Sequence, residues 1–389
     1  MRIGIITLFD NGNMGAALQA YALNAVLRQM GCVCEDIRYE RVCDGQSDAQ
    51  ANRKKRREML RSFKGCAAFA TKAVCRLALR NKMAKRRQRF SDFLKQNIPQ
   101  TQRAFRGVEA LKGAELPYDM FICGSDNIWN KHKFDPAYFL AFVPEGVPKY
   151  SYAAGLSATG FSEKERECIL PLVERLDAVS VRDGVGVRLL HSMTDKPIRE
   201  DVDPTLLLSQ DEWLKMAKPV QGLPKEYIFC YLLGNAPEGR RAAQILKKRT
   251  GLAIVNIPHA TSFQGNDIGF GNHRLYDVGP AEYLSLISGA SYVITDSFHG
   301  CVFSLIFEKQ FVALRRFPKG PEFDLNLRLD CLLDNADLHG RIVSDPGEAI
   351  CVLQDEIDYG AARQALSIRR GASMDYLRSI IEHTEKERG

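Results

Sequence analysis

The chain has 389 residues, of which 45% are hydrophobic and 26% are charged, an ordinary balance for a soluble globular protein of two domains. Its net charge of +7 is local, because residues 53–95 contain 16 Lys or Arg and two acids, which leaves −7 for the rest. Eleven cysteines without a CxxC pair and seven histidines without HExxH spacing exclude a disulfide framework and a typical protein-held metal.

The first elements predict the start of a parallel sheet. Residues 2–8 (RIGIITL) predict a buried strand, and the polar turn that follows is not typical of a signal peptide. Residues 16–30 carry apolar side chains at helical spacing up to Gly31, and residues 32–39 predict a second strand. No run approaches the ~18 apolar residues of a membrane span. We therefore expect a cytoplasmic protein that begins with a β-loop-α-β unit.

The basic segment 53–95 predicts an amphipathic helix or a pair of helices, because its apolar residues fall on one helical face. Its charge fits a diphosphate-lipid carrier of a substrate, peripheral contact with the inner membrane face, or simple exposure to solvent. No RNA-reading motif accompanies the segment, so we expect no nucleic-acid partner.

Two alternating series of strands and helices make up the rest of the chain. Three strand candidates follow the basic segment, and a crossing near Pro204 leads into a second series that ends with a strand at 311–314. Residues 361–387 predict a C-terminal helix. The pattern predicts an α/β protein. Its expected parts are an N-terminal domain (1–210), a C-terminal domain (224–345) and a helical segment (346–389).

Ligands of parallel sheets bind at the carboxyl ends of the strands, so the residues that follow each strand are the candidate site. After the first strand, DNGNMGA offers Asn13 and Gly15 as an anion or sugar cradle, or as an ordinary capped loop. After a later strand, CGSDNIWN offers Ser125, Asp126 and Trp129 to the hydroxyls and the apolar face of a sugar, or as a helix cap.

Charged groups follow two further strands. Arg182 in SVRDG suits a carboxylate or a phosphate, or else pairs with Asp183. In TDSFHG, Asp296, Ser297 and His299 stand between a strand and a helix. Amides at that helix start can bind phosphate, and the imidazole can donate a hydrogen bond or transfer a proton near neutral pH.

The run RRFPKG places Arg315, Arg316 and Lys319 beyond the last strand, either at the same sheet edge as His299 or in a solvated loop. One arginine from the first domain and these cations from the second predict a cleft between the domains. Such a cleft suits a small and densely anionic substrate.

The sequence resembles the polysaccharide pyruvyl transferase family over most of residues 1–345, the basic segment excepted. The likeness rests on the stretches GNMGAALQAYAL, FICGSDNIWN, SVRDG, DVDPTLLL and ISGASYVITDSFHGCVFSLIFEKQFVAL. It implies two Rossmann-like domains in a GT-B-like arrangement, with the C-terminal helix packed back on the first domain.

The resemblance also implies an activity. Members of the family transfer the enolpyruvyl group of phosphoenolpyruvate, a donor substrate, to a sugar of a cell-surface glycan precursor, and no cofactor is expected. The likeness assigns catalytic roles to Arg182, His299 and Lys319, with His299 as general acid or as donor to the departing phosphate. Asp126 is a candidate base, and Asp296 is a candidate to orient His299. The acceptor is expected to be lipid-linked or nucleotide-linked.

Two other functions fit the same pattern. A GT-B glycosyltransferase would use the DSFHG turn to hold the diphosphate of a nucleotide sugar. A non-catalytic scaffold would keep the fold and dock the basic segment on a membrane or a nucleic acid, and it would not depend on His299.

Overall fold

The computed structural model describes residues 1–42, 78–259, 265–267, 269–316 and 326–388. Most of the basic segment and Lys319 lie outside the described residues. Within that part of the chain, no helix is both long enough and apolar enough to cross a membrane.

The N-terminal domain is built on parallel strands. Its strands are β1 (Arg2–Ile6), β2 (Val33–Asp36), β3 (Tyr39–Glu40), β4 (Phe105–Arg106), β5 (Met120–Cys123), β6 (Lys149–Ser151), β7 (Val179–Val181) and β8 (Ile198–Glu200). Four of them form a parallel sheet in the order β2-β1-β5-β6, and the parallel pair β7–β8 continues it through bridges from β6 and its following loop. Every residue of β5 and β6 is buried, as expected for strands that helices cover on both faces.

Six helices of the described residues accompany these strands, and the first of them begins after β1. They are α1 (Met14–Gln29), α2 (Arg80–Asn97), α3 (Val108–Lys112), α4 (Glu163–Glu174), α5 (Gly184–His191) and α6 (Gln210–Met216). The predicted β-loop-α-β opening is confirmed.

The C-terminal domain repeats the same principle with a six-stranded parallel sheet in the order β11-β10-β9-β12-β13-β14. Its strands are β9 (Tyr227–Tyr231), β10 (Ala253–Asn256), β11 (His273–Arg274), β12 (Tyr292–Thr295), β13 (Gln310–Leu314) and β14 (Ile342–Val343). Its helices are α7 (Glu238–Thr250), α8 (Pro280–Ser288), α9 (Phe298–Ile306), α10 (Leu327–Asn335) and α11 (Pro346–Gln354). The predicted α/β architecture with two Rossmann-like sheets is confirmed.

The last helix, α12 (Tyr359–Arg388), returns to the N-terminal domain, as predicted. The Tyr376 hydroxyl donates to the Ser151 carbonyl at 2.9 Å, and the Val202 amide donates to Ser373 Oγ at 3.1 Å. Helix α11 instead packs on α7 of the C-terminal domain. The part of the C-terminal segment that returns to the N-terminal domain is therefore α12.

The described end of the basic segment is a helix, α2, that is docked between the two domains. Phe93 is 4% exposed and meets Tyr21 of α1 edge to face, with ring centroids 6.0 Å apart. Arg86 and Arg89 donate from Nη1 to backbone carbonyls of the C-terminal domain, at 3.1 and 2.7 Å. Helix α2 therefore contacts both domains, and some of its cationic side chains bind within the protein.

We expect Phe93→Ala to destabilise the protein by about 3–5 kcal/mol, because the change removes a buried ring and leaves a cavity. Arg87→Ala, on the exposed face of the same helix, is the matched control and should change stability by less than about 0.5 kcal/mol. Urea titrations followed by circular dichroism measure both. Equal, small shifts of the midpoint in the two variants would show that α2 is not docked.

Candidate functional site

Two helix N-termini from different domains meet at the carboxyl ends of their sheets. Helix α1 follows β1, and α9 follows β12, and the backbone of Gly15 in α1 lies against the imidazole of His299 in α9. A Cβ atom built on Gly15 would lie 2.0 Å from His299 Nδ1, so this approach requires glycine. The predicted residues Gly15 and His299 are thus in direct contact.

A fully buried carboxylate, that of Asp203, lies at the centre of the site. Arg182 Nη1 donates to Asp203 Oδ2 at 3.1 Å, while the amide and hydroxyl of Thr205 donate to Oδ1 at 3.1 and 2.7 Å. His299 Nε2 lies 3.6 Å from Oδ2, an ion-pair distance for a protonated imidazole. Burial raises the pKa of Asp203, but His299, Arg182 and Thr205 together outweigh burial and hold that pKa well below its usual range.

Arg182 has hydrogen-bonding capacity that the described residues do not use. Its side chain is 2% exposed, yet Nε and Nη2 are buried without a hydrogen-bond partner in this part of the chain. Its Cζ lies 4.3 Å from the centroid of the Phe298 ring, a cation–π contact. His299 Nε2 is also buried without a hydrogen-bond partner among the described residues. Since roughly 90% of buried polar groups are satisfied in proteins, these nitrogens are candidates for binding a ligand.

A second arginine, Arg328 of α10, contacts the same Phe298 ring, with Cζ 5.9 Å from the centroid. Its Nε is buried and has no hydrogen-bond partner in the described ranges. Burial, together with the charges of Arg182 and Arg316, lowers the pKa of Arg328 to about 10. The site therefore holds several cationic groups close to Asp203, an arrangement that suits a small anion.

Several predicted ligand residues serve the local fold. Asn13 and Ser297 cap α1 and α9, since each side chain accepts from an amide in the first turn of its helix, at 2.9 and 3.3 Å. Both carboxylate oxygens of Asp296 accept from backbone amides that follow β9, at 2.6 and 2.7 Å. Asp296 thus connects the ends of two strands, and no hydrogen bond or ion pair from it to His299 is found among the residues that the structure describes.

The structure corrects the expectation for Trp129. The residue is 2% exposed, stacks on Phe139 with ring centroids 4.8 Å apart, and donates from Nε1 to a backbone carbonyl at 2.8 Å. It belongs to the core of the N-terminal domain and has no face free for a sugar. Ser125 is also fully buried, with Oγ bonded to a backbone carbonyl at 2.8 Å. Asp126 lies nearer the site. Burial lowers the pKa of Arg328, and the negative charge of Asp126 opposes that lowering.

The arginines after β13 have different environments. Arg315 makes a bidentate ion pair with Asp330, at 2.9 and 2.6 Å. Arg316 lies beside the site, where burial lowers its pKa and the charge of Asp296 opposes that effect. The role assigned to Lys319, which lies outside the described residues, stays a prediction.

Sequence reasoning missed two residues of the site. Asp203 belongs to the DVDPTLLL stretch, which the pattern places at a domain crossing, and it follows β8, a strand that the sequence did not predict. Arg328 lies in an amphipathic helix, where an arginine is ordinary, and only the tertiary fold brings it to Phe298.

The cavity at the centre of this cluster is small. It is lined by Arg182, Asp203, Phe298 and Arg328, among others, and its volume of about 20 Å³ accommodates one water. A ligand larger than one water therefore requires this cavity to widen. No group of three or more His, Cys, Asp or Glu side chains that could hold a metal is present among the residues described.

Two facing α/β domains with a charged site between them define the GT-B fold, and solved structures agree. UDP-GlcNAc 2-epimerase from Neisseria meningitidis is similar with a TM-score of 0.52 at 11% identity, over 98% of this chain and 100% of that chain. The enzyme from Methanocaldococcus jannaschii gives a TM-score of 0.51 at 10% identity, over 92% and 93% of the two chains. That from Rickettsia bellii gives 0.50 at 12%, over 99% and 97%. At these identities the likeness concerns the fold alone.

The sequence itself identifies the family. The family model "Polysaccharide pyruvyl transferase" matches residues 13–316, a range that contains Gly15, Arg182 and His299. The chain belongs to the polysaccharide pyruvyl transferase family. No curated protein matches it.

We expect Gly15→Ala to destabilise the protein and to displace His299 from Asp203, because the new Cβ would overlap the imidazole. Helix propensity alone predicts the opposite, a gain of about 1 kcal/mol for Gly to Ala. Gly371→Ala in α12 is the matched control, since its Cβ would meet no atom within 4 Å. Melting temperatures of both variants test the contact, and similar values for the two would contradict it.

We expect Asp203→Asn to destabilise the protein by about 3–5 kcal/mol at pH 7, because Arg182 then lacks its buried counter-charge. The pKa of Asp203 is lowered by folding, so its stabilising effect is complete above the ordinary carboxyl pKa of about 4 and declines as the pH falls further. Urea titrations should therefore show a constant difference from wild type near neutral pH.

Below a pH of about 4 the same difference should shrink. Asp375→Asn, at an exposed position of α12, is the control and should show no comparable pH dependence. A difference between wild type and Asp203→Asn that grows on acidification would contradict the assignment.

Proposed function

We propose that this protein transfers the enolpyruvyl group of phosphoenolpyruvate to two hydroxyls of a saccharide, which forms a pyruvate ketal. The observation that carries the proposal is the buried cationic cluster at Asp203, in which Arg182, Arg328 and His299 have nitrogens without hydrogen-bond partners among the described residues. Phosphoenolpyruvate is small and carries a carboxylate and a phosphate, which are the groups that guanidinium forks bind best. Membership of the family supports the same donor.

The reaction balances without a cofactor. A proton is added to the methylene carbon, which becomes a methyl group, and C2 becomes cationic. One sugar hydroxyl attacks C2, the bond from C2 to the phosphate oxygen breaks, and phosphate leaves with the electron pair. The second hydroxyl then closes the ketal. Of the two hydroxyl protons, one replaces the proton given to the methyl group and the other leaves with the phosphate.

His299 is the proposed general acid. Its Nε2 is buried, and the Asp203 carboxylate lies 3.6 Å away, so the ring is held beside a fixed negative charge. The contact with Gly15 holds the other side of the ring and limits its rotation. Asp203 acts through His299 and Arg182 as a positioning residue.

The acceptor in this proposal is a saccharide on a lipid or nucleotide carrier, in the synthesis of a cell-surface glycan on the cytoplasmic side. Lys82 and Arg87 of α2 are exposed and could contact an anionic carrier or the inner membrane face. Arg182 and Lys319 are proposed to hold the donor.

Calorimetric titration and thermal shift test the donor first. We expect phosphoenolpyruvate to raise the melting temperature of the wild type, because a ligand of the folded state alone stabilises it. Arg182→Gln should weaken binding at least about tenfold, which corresponds to about 1.4 kcal/mol. His299→Gln should retain binding and lower kcat, measured as phosphate release with an acceptor, by about 10²-fold or more.

Arg378→Gln and His383→Gln, both exposed on α12, are the matched controls and should behave as wild type. A thermal shift with a nucleotide sugar and none with phosphoenolpyruvate would replace this proposal with glycosyl transfer. Phosphate release by His299→Gln with the wild-type kcat would show that His299 is not the general acid.

A further inference from the structure

Two guanidinium groups from different domains lie against one aromatic ring. Arg182 follows β7 in the N-terminal domain, and Arg328 is the second residue of α10 in the C-terminal domain. Their Cζ atoms lie 4.3 and 5.9 Å from the centroid of the Phe298 ring. Asp203 pairs with Arg182, whereas no ion pair of Arg328 is found within the described ranges.

This arrangement is unfavourable in the absence of a ligand. Like charges repel strongly at low dielectric, and the pKa of Arg328 falls to about 10 through burial and through the charges of Arg182 and Arg316. Arg182 lies just before α5, and Arg328 lies in the first turn of α10. The N-terminus of a helix carries a partial positive charge, which adds to the repulsion. The negative charges of Asp126 and Asp183 oppose the lowering of the Arg328 pKa only in part, because the net shift of that pKa is downward.

We propose that Arg328 is a ligand-binding residue that completes, with Arg182, a site for a dianionic phosphoryl group. The inference rests on the proposed function, in which that group is the phosphate of phosphoenolpyruvate. Nη1 of Arg182 already donates to Asp203, and three buried nitrogens, Nε and Nη2 of Arg182 and Nε of Arg328, have no partner among the described residues, whereas a single carboxylate has only two oxygens. A phosphate monoester supplies nearly two charges and three terminal oxygens, enough for two guanidinium forks.

The same placement assigns Arg328 a role in the reaction. Negative charge accumulates on the phosphate as its bond to C2 breaks, and a guanidinium with a buried Nε that is already in place stabilises that charge. Arg328 belongs to the C-terminal domain and Arg182 to the N-terminal domain, so the phosphate binds both halves of the molecule at once. The present cavity holds about one water, so the two arginines must separate slightly to admit the ligand.

The test compares wild type with Arg328→Gln, Arg328→Lys and the exposed control Arg378→Gln. The probes are inorganic phosphate, phosphoenolpyruvate and oxalate, a dicarboxylate without a phosphoryl group. Calorimetry gives the dissociation constants, thermal shift gives the stability without ligand, and circular dichroism confirms that each variant is folded.

We expect Arg328→Gln to melt at or above the wild-type temperature without ligand, because it removes a repelled cation. The same variant should bind phosphate and phosphoenolpyruvate at least about tenfold more weakly, while oxalate binding changes little. Arg328→Lys keeps the charge but loses the fork, so its affinities should lie between those of wild type and Arg328→Gln. A residue with only a structural role would give the reverse pattern, a lower melting temperature with unchanged affinities.

The two proposals fail in different ways. Wild type that consumes phosphoenolpyruvate, with Arg328→Gln showing the same KM and kcat, overturns the role of Arg328 and leaves the function standing. Phosphate binding that depends on Arg328, without consumption of phosphoenolpyruvate with any acceptor, supports the phosphoryl site and overturns the function. Wild type that binds neither phosphate nor phosphoenolpyruvate overturns both.

Discussion

One buried carboxylate, that of Asp203, connects the two halves of the molecule electrostatically. It pairs with Arg182 of the N-terminal domain at 3.1 Å and lies 3.6 Å from His299 of the C-terminal domain. A buried charge without partners is strongly unfavourable, so the positions of these three groups depend on one another. Any opening of the cleft that withdraws His299 also weakens the environment that keeps Asp203 ionised. The arrangement of the domains and the ionisation of Asp203 are therefore coupled.

Close packing reinforces that electrostatic link. The imidazole of His299 occupies the space that a side chain at residue 15 would need, so the N-terminus of α1 lies directly on the ring. Arg182, Arg328 and Phe298, the first residue of α9, line a cavity of about 20 Å³. The cluster is poorly compensated without a ligand, and an anion relieves the repulsion among its cations. We expect binding energy of this kind to offset the cost of widening the cavity between the two arginines.

The strands were the part of the fold that is easiest to predict from sequence. Runs such as MFIC and YVIT are apolar at successive positions, which suits a sheet covered on both faces, and both lie in parallel sheets. Residues at the ends of such strands also marked the site, since Arg182 and His299 both approach Asp203. Trp129 shows where this reasoning fails. Its local sequence is the same whether the ring faces a cleft or a core, and the stack on Phe139 decides the outcome.

Arg328, in contrast, is a residue of the candidate site that the local sequence did not indicate. Nothing in LNLRLD distinguishes its arginine from a solvated one, because the information lies in the distance from α10 to Phe298 of α9. Asp203 follows β8, a strand that the sequence did not predict, and its importance depends on two partners far away in the sequence. Local patterns therefore predict which residues can bind a ligand, while the tertiary fold determines which of them lack partners.

The position of α2 in the fold also changes the interpretation of the basic segment. Arg86 and Arg89 bind backbone carbonyls of the C-terminal domain, and Lys85 lies 3.4 Å from Asp277. A cation bound within its own chain is not available to an anionic surface, so the count of 16 Lys or Arg in 53–95 overstates the charge that a partner meets. Because α2 contacts both domains, a partner that binds its exposed face contacts the helix that joins them. Part of the positive charge of this segment therefore contacts the C-terminal domain, and only the remaining cations are available to a binding partner.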